Sequence, residues 1–176
     1  PVRVAPKGVR AHALHDGMVR MSSGRIVLPV YISMGRGPGP TDERPPDPGV
    51  LVHGQFVSVG GHWFDPYGPH VISVYYSDDE GRTWECNQDG EIVILLDWNA
   101  TFTYVNEPSV AEVAPGRLLL MMRNQMGRLY QAWSYDNAET WTRPQPTSLA
   151  ASTTPGQIRS LQNGHLLLVW NQEGEE

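Results

Sequence analysis

Two short patterns alternate along this chain, and together they admit few architectures. The first is a turn, then a basic or histidine position, then an apolar run. It occurs as Ser23-Gly24-Arg25-Ile26-Val27-Leu28, Pro115-Gly116-Arg117-Leu118-Leu119-Leu120 and Asn163-Gly164-His165-Leu166-Leu167-Leu168. The second is Ser-x-Asp-x-(Gly/Ala)-x-Thr-Trp at 77–84 and 134–141, where Ala138 stands in the second copy at the glycine position. Gly116 and Gly164 lie 48 positions apart, close to the roughly 50-residue period of a four-stranded propeller blade. Gly24 to Ser77 is 53 positions against 18 from Gly116 to Ser134. The excess matches an irregular, Gly/Pro-rich insertion at about 34–70, and without it the two units are comparable.

The apolar runs are continuous, as in Leu118 to Met122 and Leu166 to Trp170. Strands buried on both faces read this way, and a blade stacked between two neighbours is buried on both faces. Further strands are expected at 17–21, 25–32, 71–76, 91–96, 128–133 and 157–161. Pro29 donates nothing to a ladder, so an edge or a local irregularity is expected there. Nowhere is a helical period sustained, and Gly 18 with Pro 15 points to many turns. The expected fold is all-β, a β-propeller of four-stranded antiparallel blades. About three blades are represented, so residues 1–176 are expected to be part of a larger domain.

In the second pattern, short serine, threonine and aspartate oxygens suit backbone N–H acceptance in a tight turn, and glycine suits positive φ. Trp84 and Trp141 are expected to pack within the blades. Ala138 should either strain its turn or adopt a different one.

Chemistry concentrates in the hairpin from Asn106 to Arg123. One strand leaves Glu107-Pro108, turns at Ala114-Pro115-Gly116, and returns through Arg117 to Arg123. Antiparallel pairing sets a carboxylate and a guanidinium side by side at the open end of an apolar hairpin. Elsewhere the signals are weaker. His53, His62 and His70, with Asp65, are scattered over the insertion and read as solvated loop residues. No metal or cofactor is expected. His12 and His15 read as loop residues, Glu112 as a surface or turn residue, and Trp98 and Tyr104 as core aromatics. Cys86 is the one cysteine, which excludes a disulfide framework. The net charge of -6, with scattered basic residues, argues against a nucleic-acid surface. No apolar run is long enough for a membrane span.

Ser77 to Trp84 matches the Asp-box of the sialidase (neuraminidase) family, and Ser134 to Trp141 matches it apart from Ala138. The order of motifs adds to this. The stretch from Gly17 to Tyr31 resembles the sialidase segment that ends in a Gly-Arg-Leu-Val-Val-Pro-like run. An Asp-box follows, then Asn106-Glu107-Pro108 with an apolar strand ending in Arg123, then the second Asp-box. The chain resembles the middle blades of a six-bladed sialidase propeller over nearly its whole length except 34–70. The resemblance implies an exo-α-sialidase that hydrolyses terminal sialic acids with retention, acting on a sialylated glycan. It also implies a secreted or cell-surface location. Glu107 would activate a tyrosine nucleophile and Arg123 would be one of three arginines that clamp the sugar's carboxylate. The family's tyrosine, acid/base aspartate and remaining two arginines have no match here, so these residues alone are expected to be inactive. Two alternatives are a non-catalytic Asp-box propeller that binds glycan or protein, and a sialidase-fold hydrolase for another sugar.

Overall fold

The computed structural model describes residues 1–6, 11–14, 17–33, 49–52, 55–58, 70–94 and 105–172. Among them there is no helix. The first sheet holds β1 (Ala11–His12), β2 (Val19–Arg20), β3 (Ile26–Ser33), β6 (His70–Ser77) and β7 (Glu85–Cys86). Both β1 and β2 pair with β3, which continues to β6 and then β7. A separate hairpin, β4 (Gly49–Val52) with β5 (Gln55–Ser58), lies between β3 and β6 in sequence. The second sheet is a four-stranded meander of β8 (Asn106–Ala114), β9 (Arg117–Arg123), β10 (Arg128–Ser134) and β11 (Gln145–Ala150). A third sheet pairs β12 (Gln157–Ser160) with β13 (Leu166–Val169).

The double-faced apolar runs explain the stacking. Along β9, Leu118, Leu120 and Met122 enter the core shared with the first sheet, with Val27, Ile72, Val74 and Tyr76. Leu119 and Met121 point the other way, into a core with Ile158 and Leu168 of the third sheet. Alternation thus gives every β9 side chain from 118 to 122 a buried place, and the sheets stack as successive propeller blades.

The hairpin turns and both Asp-boxes gather at one end of the sheets, where polar contacts tie the blades together. Arg25 grips Asp78 with two hydrogen bonds, of 2.8 and 2.7 Å, and donates a third of 2.8 Å to the Asn137 carbonyl. The basic position of the first repeat therefore joins both Asp-box turns. The Glu112 carboxylate accepts the Ser22 N–H at 2.6 Å, the Ser22 hydroxyl at 2.9 Å and the Gly116 N–H at 3.1 Å. The expected turn residue is thus a clip between two hairpins. The third sheet joins through the Ile158 N–H, donated to the Ser109 hydroxyl at 3.0 Å. Gly116 has φ +75°, and a Cβ there would lie 3.2 Å from the Asn137 amide oxygen, so both conformation and space call for glycine.

The two Asp-boxes are built alike. Gly81 N–H and Ala138 N–H each donate 2.9 Å bonds, to Ser77 and Ser134. Asp79 accepts from the Thr83 N–H at 2.8 Å and hydroxyl at 2.7 Å, and Asp136 accepts the Thr140 N–H at 2.9 Å. Ala138 adopts φ 72°, the same left-handed turn as Gly81 at 78°, so the substitution keeps the turn and bears the strain. Its methyl is fully buried in the core with Trp141. Burying a methyl group stabilises by about 0.8 kcal/mol, and the left-handed cost for alanine is on the order of 1 kcal/mol. Ala138→Gly is therefore expected to change unfolding free energy by less than about 0.5 kcal/mol. Gly81→Ala has only ordinary contact with Trp84 to gain and should cost about 1 kcal/mol. Paired denaturant melts check both.

The Thr83 N–H, then its hydroxyl, hold the Asp79 carboxyl well below the usual carboxylate range, at about 2. A depressed folded-state value means that the stabilisation is complete above the unfolded-state value and is lost as pH falls through about 2. Acid titration of stability should therefore show a component between roughly pH 4 and 2 that Asp79→Asn removes.

Several expectations change. Pro29 lies mid-strand in β3, in unbroken register with β6 opposite Val74. The irregularity is in its other neighbour: β1 ends at His12 and β2 begins at Val19, so among the described residues no strand pairs with β3 at Pro29 on that side. The strand expected at 91–96 is reduced, among described residues, to one bridge between Ile72 and Ile92. Its place beside β6 is taken by β7 and by Asn87, whose side-chain oxygen accepts the Val74 N–H at 2.9 Å. Strand β11 carries no apolar signature, because its residues are half-buried or exposed.

Candidate functional site

The opposite end of the sheets carries a second set of charged and ring side chains. Proline at 108 has no N–H to donate, and the β8–β9 ladder breaks there. Asn106 pairs with Arg123 and Ser109 with Met121, so Glu107 and Pro108 together face Met122. This extra residue is a β-bulge, a device that re-aims side chains at sheet ends. Glu107 takes φ +44°, a left-handed backbone that costs a non-glycine residue on the order of 1–3 kcal/mol.

The bulge turns the Glu107 carboxylate onto the end of β9. Its Oε2 accepts from Arg123 Nη1 at 2.5 Å, with the side chains 19% and 14% exposed. The two candidate residues are thus brought into direct contact at the mouth of the second blade. Such a pair is charge-assisted, and little bulk water screens it.

Around the pair stand residues that the sequence did not single out. His70, expected in the irregular loop, is instead the first residue of β6 and is 2% exposed. Its Nδ1 lies 2.5 Å from Oδ1 of Asn106, itself 4% exposed. An amide oxygen only accepts, so Nδ1 carries the proton in this arrangement. Tyr31, near the end of β3, stacks on His70 with ring centroids 5.9 Å apart. It also stacks on His12 at 5.0 Å, so His12 belongs to β1 and to this cluster rather than to a loop. Burial pushes the Tyr31 hydroxyl above its ordinary range, and the Glu107 charge pushes the same way while Arg123 opposes it. The phenol therefore stays neutral and within electrostatic reach of the ion pair.

The missed residues left faint traces. His70 directly precedes Val71-Ile72-Ser73-Val74, Tyr31 lies near the end of an apolar run, and Asn106 adjoins Glu107. Their convergence depends on strand register across two sheets, which the sequence does not display. Trp141 is buried as expected, and Trp84 is part-buried, its indole N–H donated to the Gly81 carbonyl at 3.0 Å. His15, His53, His62, Asp65, Trp98 and Tyr104 lie outside the described residues. Among the described residues, no group of three or more His, Cys, Asp or Glu side chains could hold a metal ion. Nor is any helix there long and apolar enough to cross a membrane.

Together these groups form a carboxylate–guanidinium pair backed by a phenol, an imidazole and an amide. Such a set can bind an anion, accept a proton and donate hydrogen bonds; it holds no redox group of its own.

Residues 4–176 match the family described as BNR repeat-like domain. Among solved structures, the chain is similar to a protein of unknown function from Dyadobacter fermentans, at 19% identity and TM-score 0.57, covering 86% of this chain and 32% of that one. It is similar also to a Hadza microbial sialidase, at 19% identity and TM-score 0.53, over 86% of this chain and 23% of the other. A third is NanB with Optactamide, at 15% identity and TM-score 0.52, over 89% of this chain and 19% of that one. The chain thus spans about a third or less of the length of these structures. At such identities the likeness speaks for the propeller fold alone. No curated protein matches the chain.

Proposed function

This chain belongs to the BNR repeat-like domain family, and we propose that it forms part of a sialidase-fold glycoside hydrolase that releases terminal sialic acid with retention. Glu107 acts as base on a tyrosine nucleophile supplied from outside these 176 residues, and Arg123 holds the carboxylate of the sugar. One observation carries this reading. A strained bulge places Glu107 against Arg123, at the open end of a blade whose other end is occupied by structural turns.

The chemistry supports the division of roles. Sialic acid bears a carboxylate on its anomeric carbon, the atom that a nucleophile must attack. A carboxylate nucleophile at about 4 Å from it would meet repulsion on the order of 4 kcal/mol at an effective dielectric near 20. A neutral tyrosine avoids this, but with an unperturbed pKa near 10 it needs a base at neutral pH. Glu107 is a carboxylate held rigidly enough to serve. Arginine suits the clamp because its planar fork fits a carboxylate, and Arg123 already holds one in Glu107. An incoming sugar carboxylate therefore shares or takes over that contact, which releases Glu107 toward the nucleophile.

The same ion pair also fits a propeller that binds an acidic glycan without cleaving it, since Glu107 is engaged by Arg123. Incubating the intact protein with an aryl α-sialoside separates the two. Release of the aryl alcohol is the expected result. Saturable binding of N-acetylneuraminic acid with no release would establish the binding module instead.

A further inference from the structure

We infer that His70 and Asn106 are positioning residues for the Glu107–Arg123 pair, a buried imidazole–amide clamp that holds the bulge in its strained register. This inference rests on the proposed site, although one arm of its test, the Arg123 resonance, does not depend on the ligand.

Three observations lead to it. The first is location. Asn106 adjoins Glu107 in sequence and pairs directly with Arg123 across the ladder, so its backbone touches both members of the pair. Fixing its side chain fixes the residue from which the bulge departs. The second is where the clamp is anchored. His70 belongs to the first sheet and Asn106 to the second, so their 2.5 Å contact crosses from one blade to the next. A contact within one sheet would not set the relation between the two blades. The third is chemistry. Both side chains are almost wholly buried, at 2% and 4% exposure, beside an otherwise apolar core. A hydrophobic pair could fill such space without desolvating an imidazole and an amide. What the polar pair supplies is direction: a ring donor and an amide acceptor meet in one orientation. Tyr31, stacked on His70 at 5.9 Å, limits tilting of the imidazole. A non-glycine residue at φ +44° persists only where its surroundings over-determine it, and this clamp adds a side-chain restraint next to it, beside the ion pair itself.

The test uses the intact protein with isotope-labelled histidine and arginine, read by NMR. In the wild type the clamp requires the His70 proton on Nδ1, in a hydrogen bond. A ring protonated only at Nε2 overturns it without any variant. His70→Phe keeps a ring and removes the donor, whereas His70→Asn keeps an amide N–H near the Nδ1 position. His70→Phe is expected to shift the Arg123 side-chain resonance. It should also weaken N-acetylneuraminic acid binding about tenfold, equivalent to about 1.4 kcal/mol. His70→Asn should restore both to within about twofold, and Asn106→Leu should reproduce the phenylalanine result. With Asn106→Leu already present, adding His70→Phe should cost less than about twofold more, because the two side chains act as one unit. A lower melting temperature with an unmoved Arg123 resonance and unchanged binding would reduce the pair to core packing and overturn the inference. If the wild type does not bind N-acetylneuraminic acid, the ligand assignment falls, and the Arg123 resonance alone decides the clamp.

Discussion

Glu107→Gln is expected to lower aryl α-sialoside hydrolysis by the intact protein by about 10²–10⁴-fold, the range for losing a positioned general base. Glutamine preserves the shape of the side chain and can still accept from Arg123, but it cannot take a proton. The loss should fall on kcat. Because Glu107 no longer competes as an anion for Arg123, KM should stay level or fall. That split separates a base from a residue whose only work is to fix Arg123, since loss of fixation would raise KM. The unfolding midpoint should move little, because glutamine keeps the volume of the side chain and its acceptor for Arg123. Turnover equal to wild type would remove Glu107 from the reaction.

The second large effect is on stability. Leu120 is fully buried at the centre of β9, paired with Val110 on one side and Ala132 on the other. It faces the core shared by the first two blades. Leu120→Ala removes apolar surface there and leaves a cavity that two hydrogen-bonded sheets cannot close by shifting. The expected cost is about 2–5 kcal/mol, or roughly a 5–20 °C drop in Tm. Met126→Ala, at a side chain 41% exposed in the turn after β9, serves as control and should change stability by less than about 0.5 kcal/mol. Equal effects at the two positions would mean that the blades are not held by this shared core.

The contrast between these residues shows what the sequence discloses. Leu118 to Met122 announced a strand buried on both faces because every position is apolar, whichever face it takes. The Asp-boxes were legible for a similar reason. Their serine and aspartate oxygens accept backbone N–H groups two to four residues away, and the threonine hydroxyl donates to the aspartate, so spacing alone carries the geometry. Ala138 marked its own strain by departing from glycine. Glu107 and Arg123 were legible as near neighbours because a two-residue turn at Pro115-Gly116 closes their hairpin, whereas the two register shifts along β8 that decide their pairing were not.

The rest depended on distance along the chain. Arg25 looked like a repeat position and is a staple between two Asp-boxes, a role that required Asp78 and Asn137 to be brought beside it by separate strands. His70 looked like one of several loop histidines. Its burial follows from the eight-residue register between β3 and β6, which puts it opposite Ser33 beyond the insertion. Strand β11 leaves no apolar trace in the sequence because an outermost strand need not be apolar. Its polar residues meet solvent, and hydrogen bonding to β10 places it. Local patterns thus specified the blades, whereas the cluster of Tyr31, His70 and Asn106 emerged only once the blades were stacked.

The central claim is that the Glu107–Arg123 end of the second blade receives a carboxylate-bearing sugar. The most direct test compares binding of N-acetylneuraminic acid with that of its uncharged methyl ester, in the intact wild type and in Arg123→Ala. A charge-assisted contact is worth about 1.5–3 kcal/mol, so the wild type should prefer the acid by at least tenfold, and Arg123→Ala should abolish most of that preference. Equal weakening of acid and ester in Arg123→Ala would show that Arg123 supports the fold without holding the carboxylate, and would contradict the account.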